Sequence, residues 1–504
     1  MLDQFWKNLK SGSDIRGIAV GGEDGSKIDL TNEVVEKIMF AFGNWISEKT
    51  ELDANSITIA IGHDSRISAS RIKNVCINTL RTLGINVYDC SLASTPAMYM
   101  AIPSLKCSAS IAITASHHPY DRNGFKFFMS EGGVTGEDIE EILEKAQNIE
   151  EQIPSPVKGN VRKINMMEYY SEKIRSLIAE NIKSDNKNYP LNGMKIVVDA
   201  GNGAGGFFVD EILKPLGAET EGSQFLNPDG SFPNHVPNPE DPRALESIVN
   251  LTKETGADLG IIFDTDVDRV AVVGKGGTLI ADEKLIALSS LIALKSYPNS
   301  IIVTDSVTSD HLKRFIQQQG GTQFRYKRGY NNVISMAKKI NGKGGNCPLA
   351  IETSGHAAFK DNNFIDDGAY LAARIIIEMA QSKMQGKTIN DLIKDLSSAK
   401  EKKTIRMSIT SENPTEYADK ILSHIKNYAN SNRNTELDKE NIEGVRVDFT
   451  DRHSKGWIII RKSLHDPELV LHAECEASGG LKGIFKIIKS CIAKFDMIDK
   501  SKLA

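Results

Sequence analysis

Leu259-Gly-Ile-Ile-Phe-Asp-Thr-Asp-Val-Asp-Arg269 is the stretch that decides the fold class. Its first five residues are uncharged and apolar, a run of the length expected for a strand buried on both faces, and it stops abruptly in three aspartates at alternate positions. Short apolar runs that end in polar residues belong to open α/β sheets, whose ligands gather at the carboxyl ends of strands. The pattern recurs: Ile57-Thr-Ile-Ala-Ile61 runs into His63-Asp64, Ser110-Ile-Ala-Ile113 into Thr114-Ala-Ser116, and Lys195-Ile-Val-Val198 into Asp199. Ile301-Ile-Val303 and Leu349-Ala-Ile351 likewise end at Asp305 and Glu352. Helical spacing lies between several of these runs, as in Val34, Val35, Ile38, Met39, Phe42, Trp45 and Ile46. The alternation predicts α/β domains built on parallel sheets.

With 504 residues the chain exceeds one hydrophobic core, and two to four domains are predicted. A polar, proline-containing stretch at 152–160, the glycines of 274–277 and the lysine-rich run 400–403 mark the breaks, giving domains 1–160, 161–275, 276–400 and 401–504. A charged helix over 168–182 reads as a connector, and Trp457-Ile-Ile-Ile-Arg461 as a strand of the smaller final domain. A net charge of −5 argues against nucleic-acid binding through neutralised phosphates. Six scattered cysteines with no C-x-x-C pair suggest buried reduced thiols rather than a zinc site or a disulfide framework. Met1–Lys10 carries no apolar leader and no later run is long enough for a membrane span, so a cytoplasmic location and no membrane partner are expected.

Four further segments carry chemistry. In Thr114-Ala-Ser-His-His-Pro-Tyr-Asp-Arg-Asn-Gly-Phe-Lys126, Ser116 follows a strand at a rigid turn, and reads either as a nucleophile or phosphate carrier or as a helix cap. Asp264, Asp266 and Asp268 read as hard ligands for a cation such as Mg²⁺ or as a solvated acidic turn; the twelve-residue calcium loop is absent. Glu352-Thr-Ser-Gly-His356 offers a carboxylate, a hydroxyl and an imidazole suited to sugar hydroxyls and proton transfer, or is a surface turn. Arg461-Lys-Ser-Leu-His-Asp-Pro467 groups donors for a phosphate dianion, or is a polar loop. Gly201-Asn-Gly-Ala-Gly-Gly206 fits G-x-G-x-x-G, but the acidic residue required some twenty positions on is missing, which favours a tight structural turn.

Taken in order, from Ser13-Asp-Ile-Arg-Gly17 through these loops to Arg461, the chain resembles the α-D-phosphohexomutase superfamily, the phosphoglucomutase and phosphomannomutase enzymes. Pro228-Asp-Gly-Ser-Phe-Pro233 and Asp366-Asp-Gly368 add to the match. The resemblance implies four domains around a central cleft, three similar α/β domains and a smaller α+β domain, each supplying one loop. It implies Ser116 as a phosphoserine that also ligates Mg²⁺ with Asp264, Asp266 and Asp268. Arg16, His117, Lys126 and Arg269 would surround the moving phosphoryl group, with Lys126 and His356 as acid and base. Glu352 and Ser354 would hold sugar hydroxyls, and Arg461, Ser463 and His465 the second phosphate. The implied partners are hexose phosphates and the implied state a monomer or homodimer. Departures lie at His118, at Lys462, Leu464, His465 and Asp466, and at Val470, where a further arginine is usual; Lys462 is expected to make good the charge. Rival readings are a phosphoglucosamine mutase, a haloacid-dehalogenase-like phosphatase with Asp264 as nucleophile, and a phosphosugar-binding protein without catalysis.

Overall fold

A computed structural model describes residues 2–21, 25, 27–149, 155–184, 186–463 and 466–503. The chain divides into two compact units, Met1–Ile292 with Ser354–Leu392, and Ala293–Thr353 with Ile393–Ala504.

The first unit opens on a mixed sheet. Strand Thr58–His63 lies parallel to Asn86–Leu92 on one side and to Ala109–Ile113 on the other. Arg122–Met129 then returns antiparallel to Ala109–Ile113, and Asp14–Ile18 adds antiparallel to it. The second sheet repeats this arrangement: Ile196–Asp199 and Leu259–Phe263 are parallel, while Val270–Gly274 turns back antiparallel. The apolar runs mark the parallel pairs, and the antiparallel returns make both sheets mixed. A parallel connection needs a dozen or more residues, and the turns carrying Ser116 and the three aspartates are shorter, so each closes a hairpin. Gly276 and Gly277, at φ +78° and +85°, turn the chain into Thr278–Ile280, so the 274–277 break lies inside this sheet. Gly203 belongs to the close turn anticipated for 201–206: a Cβ there would sit 2.7 Å from the Thr265 carbonyl oxygen.

Arg66 fixes the serine turn. It follows the tip of Thr58–His63, is fully buried beside Asp64, and donates to the carbonyls of Ser116, His118, Pro119 and Arg122 at 2.5–2.8 Å. One guanidinium thus satisfies four backbone acceptors that the irregular turn leaves without ladder partners. The connector helix Met166–Asn181 is tied down by Tyr170, whose hydroxyl donates to Asp367 at 2.5 Å.

In the second unit Thr322–Tyr326, Ile301–Asp305 and Leu349–Ile351 run parallel. A five-stranded antiparallel sheet follows, in the order Glu401–Ser408, Glu468–Cys475, Gly456–Lys462, Val445–Phe449, Thr435–Leu437. Helices Pro414–Ser431 and Gly480–Cys491 cover one face over Ile405, Ile421, Ile458, Leu471 and Ile484. Lys402 and Lys403 fall in the edge strand rather than in a linker, where exposed lysines discourage pairing with another sheet. On the other face Arg446 stacks 3.8 Å from the Trp457 ring and donates to the Thr308 carbonyl, and Val307 packs with Trp457 and Ile459. All six cysteines are buried and none is in a disulfide.

Removing the Arg66 side chain takes the cation from the buried Asp64 carboxylate and a donor from each of four carbonyls. Arg66→Ala is expected to lower stability by about 3–5 kcal/mol, and Arg66→Lys, which lacks the fork, to recover less than half of that loss. Urea midpoints of the variants test this; an unchanged midpoint for Arg66→Ala would contradict the anchoring role.

Candidate active site

Ser116 stands at the first turn beyond a buried strand in left-handed backbone, φ +48°, an uncommon conformation for a side-chain-bearing residue. Its N–H donates to Thr114 Oγ1 at 2.9 Å and its carbonyl is held by Arg66, so the turn is braced at both ends. The hydroxyl donates to Asp264 Oδ2 at 2.9 Å and lies 3.3 Å from both the Arg269 guanidinium and His117 Nδ1. Burial first, and then the positive charges of Arg269 and Arg16, hold the His117 ring well below the usual imidazole range. His117 is therefore neutral beside the serine. Arg16 braces the same tip from the neighbouring strand, donating to the Thr114 carbonyl and to Asp14.

Asp264, Asp266 and Asp268 are each at most 1% exposed, with oxygens within 4.8 Å of one another. Their partners divide unevenly. Arg269 donates to Asp264 from its side chain at 3.1 Å and from its backbone at 3.2 Å. Lys126 sits between the other two, 3.0 Å from Asp266 and in closer contact with Asp268, and the Thr95 hydroxyl donates to Asp266 at 2.6 Å. Burial and the two neighbouring carboxylates push Asp264 well above the usual carboxylate range. Burial pushes Asp266 and Asp268 the same way, but Lys126 and the other cations outweigh it and hold both low. Asp266 Oδ1 and Asp268 Oδ1 are buried without a hydrogen-bond partner among the described residues. Hard anionic oxygens converging at one strand tip, two of them unsatisfied, fit a small divalent cation. Val267, between these ligands, is also left-handed at φ +66°, a costly state for a β-branched residue.

His356 closes this side. Its Nδ1 lies 2.5 Å from Asp366 and 3.9 Å from Asp268. Burial would lower its pKa, but the two carboxylates overrule it and raise it to about 9, so the ring carries a proton at neutral pH. Ser354 Oγ is buried with no hydrogen-bond partner among the described residues.

The first unit therefore brings together Ser116, His117, Lys126, Arg269, His356 and the three aspartates. Glu352, Arg461 and Ser463 belong to the second unit. Glu352 accepts from the Gly329 N–H at 2.6 Å, and Arg461 donates to the Lys462 carbonyl at 3.1 Å while its Nε is buried without a partner among the described residues. Ser463 Oγ accepts the Asp466 N–H; His465 lies outside the described residues. Lys462 does not supply the expected charge beside Arg461. Strand alternation turns it to the opposite face, where it pairs with Asp419 of helix Pro414–Ser431 at 2.8 Å.

Sequence reasoning missed Arg66, Thr95 and Asp366 as supports. Asp64-Ser-Arg66 stood at a strand tip and was readable as a candidate, whereas Thr95 reaches Asp266 across 171 residues with no local signal. Glu240 and Asn238 lie near the Arg269 guanidinium at 3.5 and 3.3 Å.

Residues 7–153, 168–277 and 282–399 match, in order, phosphoglucomutase/phosphomannomutase alpha/beta/alpha domains I, II and III. A phosphomannomutase/phosphoglucomutase of Pseudomonas syringae pv. tomato is 31% identical over 469 residues, covering 90% of this chain and 92% of its own length. A phosphoglucomutase of Neisseria meningitidis serogroup A is 29% identical over 481 residues, 95% of either chain. The crystal structure of a phosphoglucomutase/phosphomannomutase family protein from Burkholderia thailandensis superposes with a TM-score of 0.79 at 27% identity, covering 98% of both chains. The open form of parafusin, a phosphoglucomutase of Paramecium, shares the fold with a TM-score of 0.71 at 16% identity, over 98% of this chain and 97% of its own. With a serine turn, an acidic strand tip and three family domains in sequence, this chain belongs to the phosphoglucomutase/phosphomannomutase family of the α-D-phosphohexomutase superfamily.

Proposed function

We propose that the protein interconverts hexose 1-phosphate and hexose 6-phosphate, with glucose or mannose as the sugar, through a phosphorylated Ser116. The observation that carries this reading is the Ser116 hydroxyl, held within 3.3 Å of Asp264, Arg269 and His117 at the edge of the acidic cluster. In the forward half the Ser116 Oγ–phosphorus bond breaks, a sugar hydroxyl oxygen bonds to the phosphorus, and the hydroxyl proton passes to a base. In the return half the bond between the other phosphorus and its sugar oxygen breaks, Ser116 Oγ gives up its proton and bonds to that phosphorus, and the sugar oxygen takes up a proton.

Arg269 and Lys126 supply the positive charge that phosphoryl transfer chiefly requires, and Arg16 holds the strand tip that carries the serine. His117, kept neutral 3.3 Å from Ser116, suits the acceptance of the serine proton. His356, kept protonated by Asp366, suits donation toward an oxygen that gains charge. Asp264, Asp266 and Asp268, with the serine phosphate, would hold Mg²⁺. When bound, the ion neutralises charge on the transferred group. Glu352 and Ser354 would orient sugar hydroxyls, and Arg461, Ser463 and His465 would hold the phosphate that is not reacting. A nucleophilic Asp264 is disfavoured because the same carboxylate oxygen already accepts from Ser116 and Arg269. No helix among the described residues is long and apolar enough to cross a membrane; a cytoplasmic enzyme is our reading.

Three sugars decide the substrate. Coupled assays with glucose 1-phosphate, mannose 1-phosphate and glucosamine 1-phosphate should give turnover with one or both of the first two, and activity on glucosamine 1-phosphate alone would overturn the sugar assignment. Ser116→Ala should keep the fold and lose roughly a thousandfold or more in turnover, together with the phosphoryl adduct seen by intact mass. Near-normal turnover in that variant would end the phosphoserine reading. Asp264→Asn, Asp266→Asn and Asp268→Asn should each weaken Mg²⁺ binding by roughly tenfold or more in calorimetric titration. EDTA should abolish activity and Mg²⁺ restore it; turnover indifferent to EDTA would refute the metal assignment.

A further inference from the structure

The polar face of the C-terminal sheet carries a cationic cluster wider than the Arg461 loop. Register places Arg406, Val470 and Arg461 side by side on three adjacent strands, and Thr404, His472 and Ile459 in the parallel row two residues along. Opposed residues of antiparallel strands share a face, so Arg406, His472 and Arg461 project together, away from the apolar core. A buried valine, Val470, lies between Arg461 and Arg406 of the flanking strands, the latter also paired with Glu468 at 3.2 Å.

Arg328 joins them from the turn before helix Tyr330–Gly342, and its backbone N–H donates to Glu443 at 3.1 Å. The Arg461 guanidinium is pressed by burial first and then by Arg328, with Arg406 adding to it; Glu443 and Asp305 compensate. His472 sits in the same field. Burial, followed by Arg461, Arg328, Lys402 and Arg406, pushes its pKa down to about 2, so the ring is neutral. His472 Nδ1 is 3.0 Å from Thr404 Oγ1, while Nε2 is buried with no hydrogen-bond partner among the described residues; Arg461 Nε is in the same condition. The Thr404 hydroxyl can donate to Nδ1, and in that tautomer the ring proton rests on Nε2.

Like charges and two unsatisfied buried donors are costly together, and a phosphate dianion would answer both, accepting from each donor and offsetting the charge. We propose that His472 donates its Nε2–H to the phosphate held by Arg461, and that Arg328 and Arg406 supply the charge that Val470 lacks. The assignment rests on the reading that Arg461 grips the non-reacting phosphate. A neutral donor suits this place better than another cation, because a further charge would add to the repulsion among four basic side chains.

The test compares His472→Phe, His472→Gln and Arg461→Ala in the full chain, using glucose 1-phosphate kinetics and calorimetric binding of glucose 1,6-bisphosphate. His472→Phe should raise KM about tenfold and weaken bisphosphate binding equally, with kcat within about threefold, as expected for an interaction present in both ground and transition states. His472→Gln retains an N–H donor and should recover most of the affinity. A raised KM in Arg461→Ala with none in His472→Phe would overturn the role of His472 and leave the phosphate grip standing. Unchanged values in both would remove the grip itself. Equal damage from Phe and Gln would mean that the ring serves packing, against the proposal. In the unaltered enzyme, glucose 6-phosphate should shift the His472 Nε2–H resonance downfield; an unmoved resonance at saturating ligand would refute the contact without any variant having to fold.

Discussion

Three carboxylates buried at one strand tip are the constraint around which the first unit is arranged. Asp264, Asp266 and Asp268 have left water almost entirely, and their mutual repulsion would raise all three toward the protonated form. Lys126 and Arg269 prevent this unevenly. Lys126 comes from the antiparallel strand that leaves the serine turn and favours the charged forms of Asp266 and Asp268. Arg269 comes from the acidic turn itself, pairs with Asp264 and extends to Ser116. Charge balance and serine placement are therefore linked through Arg269, which both offsets the buried carboxylates and touches the hydroxyl.

That arrangement depends on two hairpins. Each functional turn leaves a parallel strand and returns at once as an antiparallel neighbour, which brings residues on either side of the turn into the same layer. So short a reversal costs backbone strain, visible as left-handed Ser116 and Val267. The surroundings over-determine both residues. Arg66 grips four carbonyls of the serine turn, while the Gly368 N–H donates to the Val267 carbonyl in a space where a Cβ on Gly368 would lie 2.7–2.9 Å from backbone. The glycine of Asp366-Asp-Gly368 is thus required by the acidic turn, and the aspartate two residues before it orients His356.

Strand tips and their chemistry were legible in the sequence because both are local. An apolar run followed by Ser116 or by three aspartates needs no knowledge of what lies across the sheet. The antiparallel returns were less legible, because the alternation of apolar runs says nothing of the length of the turns between them. Lys402 and Lys403 read as marking a domain break, and their charge is also that of the edge strand in which they lie. Lys462 shows how alternation alone corrects a motif reading: a residue next to Arg461 in a strand must face away from it, and here it reaches Asp419. Long-range supports such as Thr95 on Asp266 or Tyr170 on Asp367 leave no local trace, because either residue would serve equally well as a cap or as core.

In the second unit the same electrostatic problem appears with the opposite sign. Arg446 is 1% exposed between the Trp457 face and the carboxylates Asp310 and Asp438, 3.6 and 3.4 Å away, and burial with the neighbouring Arg325 lowers its pKa to about 10. It remains charged, stacked and paired. This is the structural solution for a buried cation, in which fixed acids answer the charge and the sheet is fastened to the Thr308 turn. His472 stands in the row of Arg446 and Arg461 one row along; both have cationic neighbours, offset at Arg461 by Glu443 and Asp305, and each has a buried nitrogen without a hydrogen-bond partner among the described residues. The two arginines share a sheet face and are both buried, but Arg446 has a stacked ring and two carboxylates within 3.6 Å, whereas the strongest charged neighbour of Arg461 is Arg328.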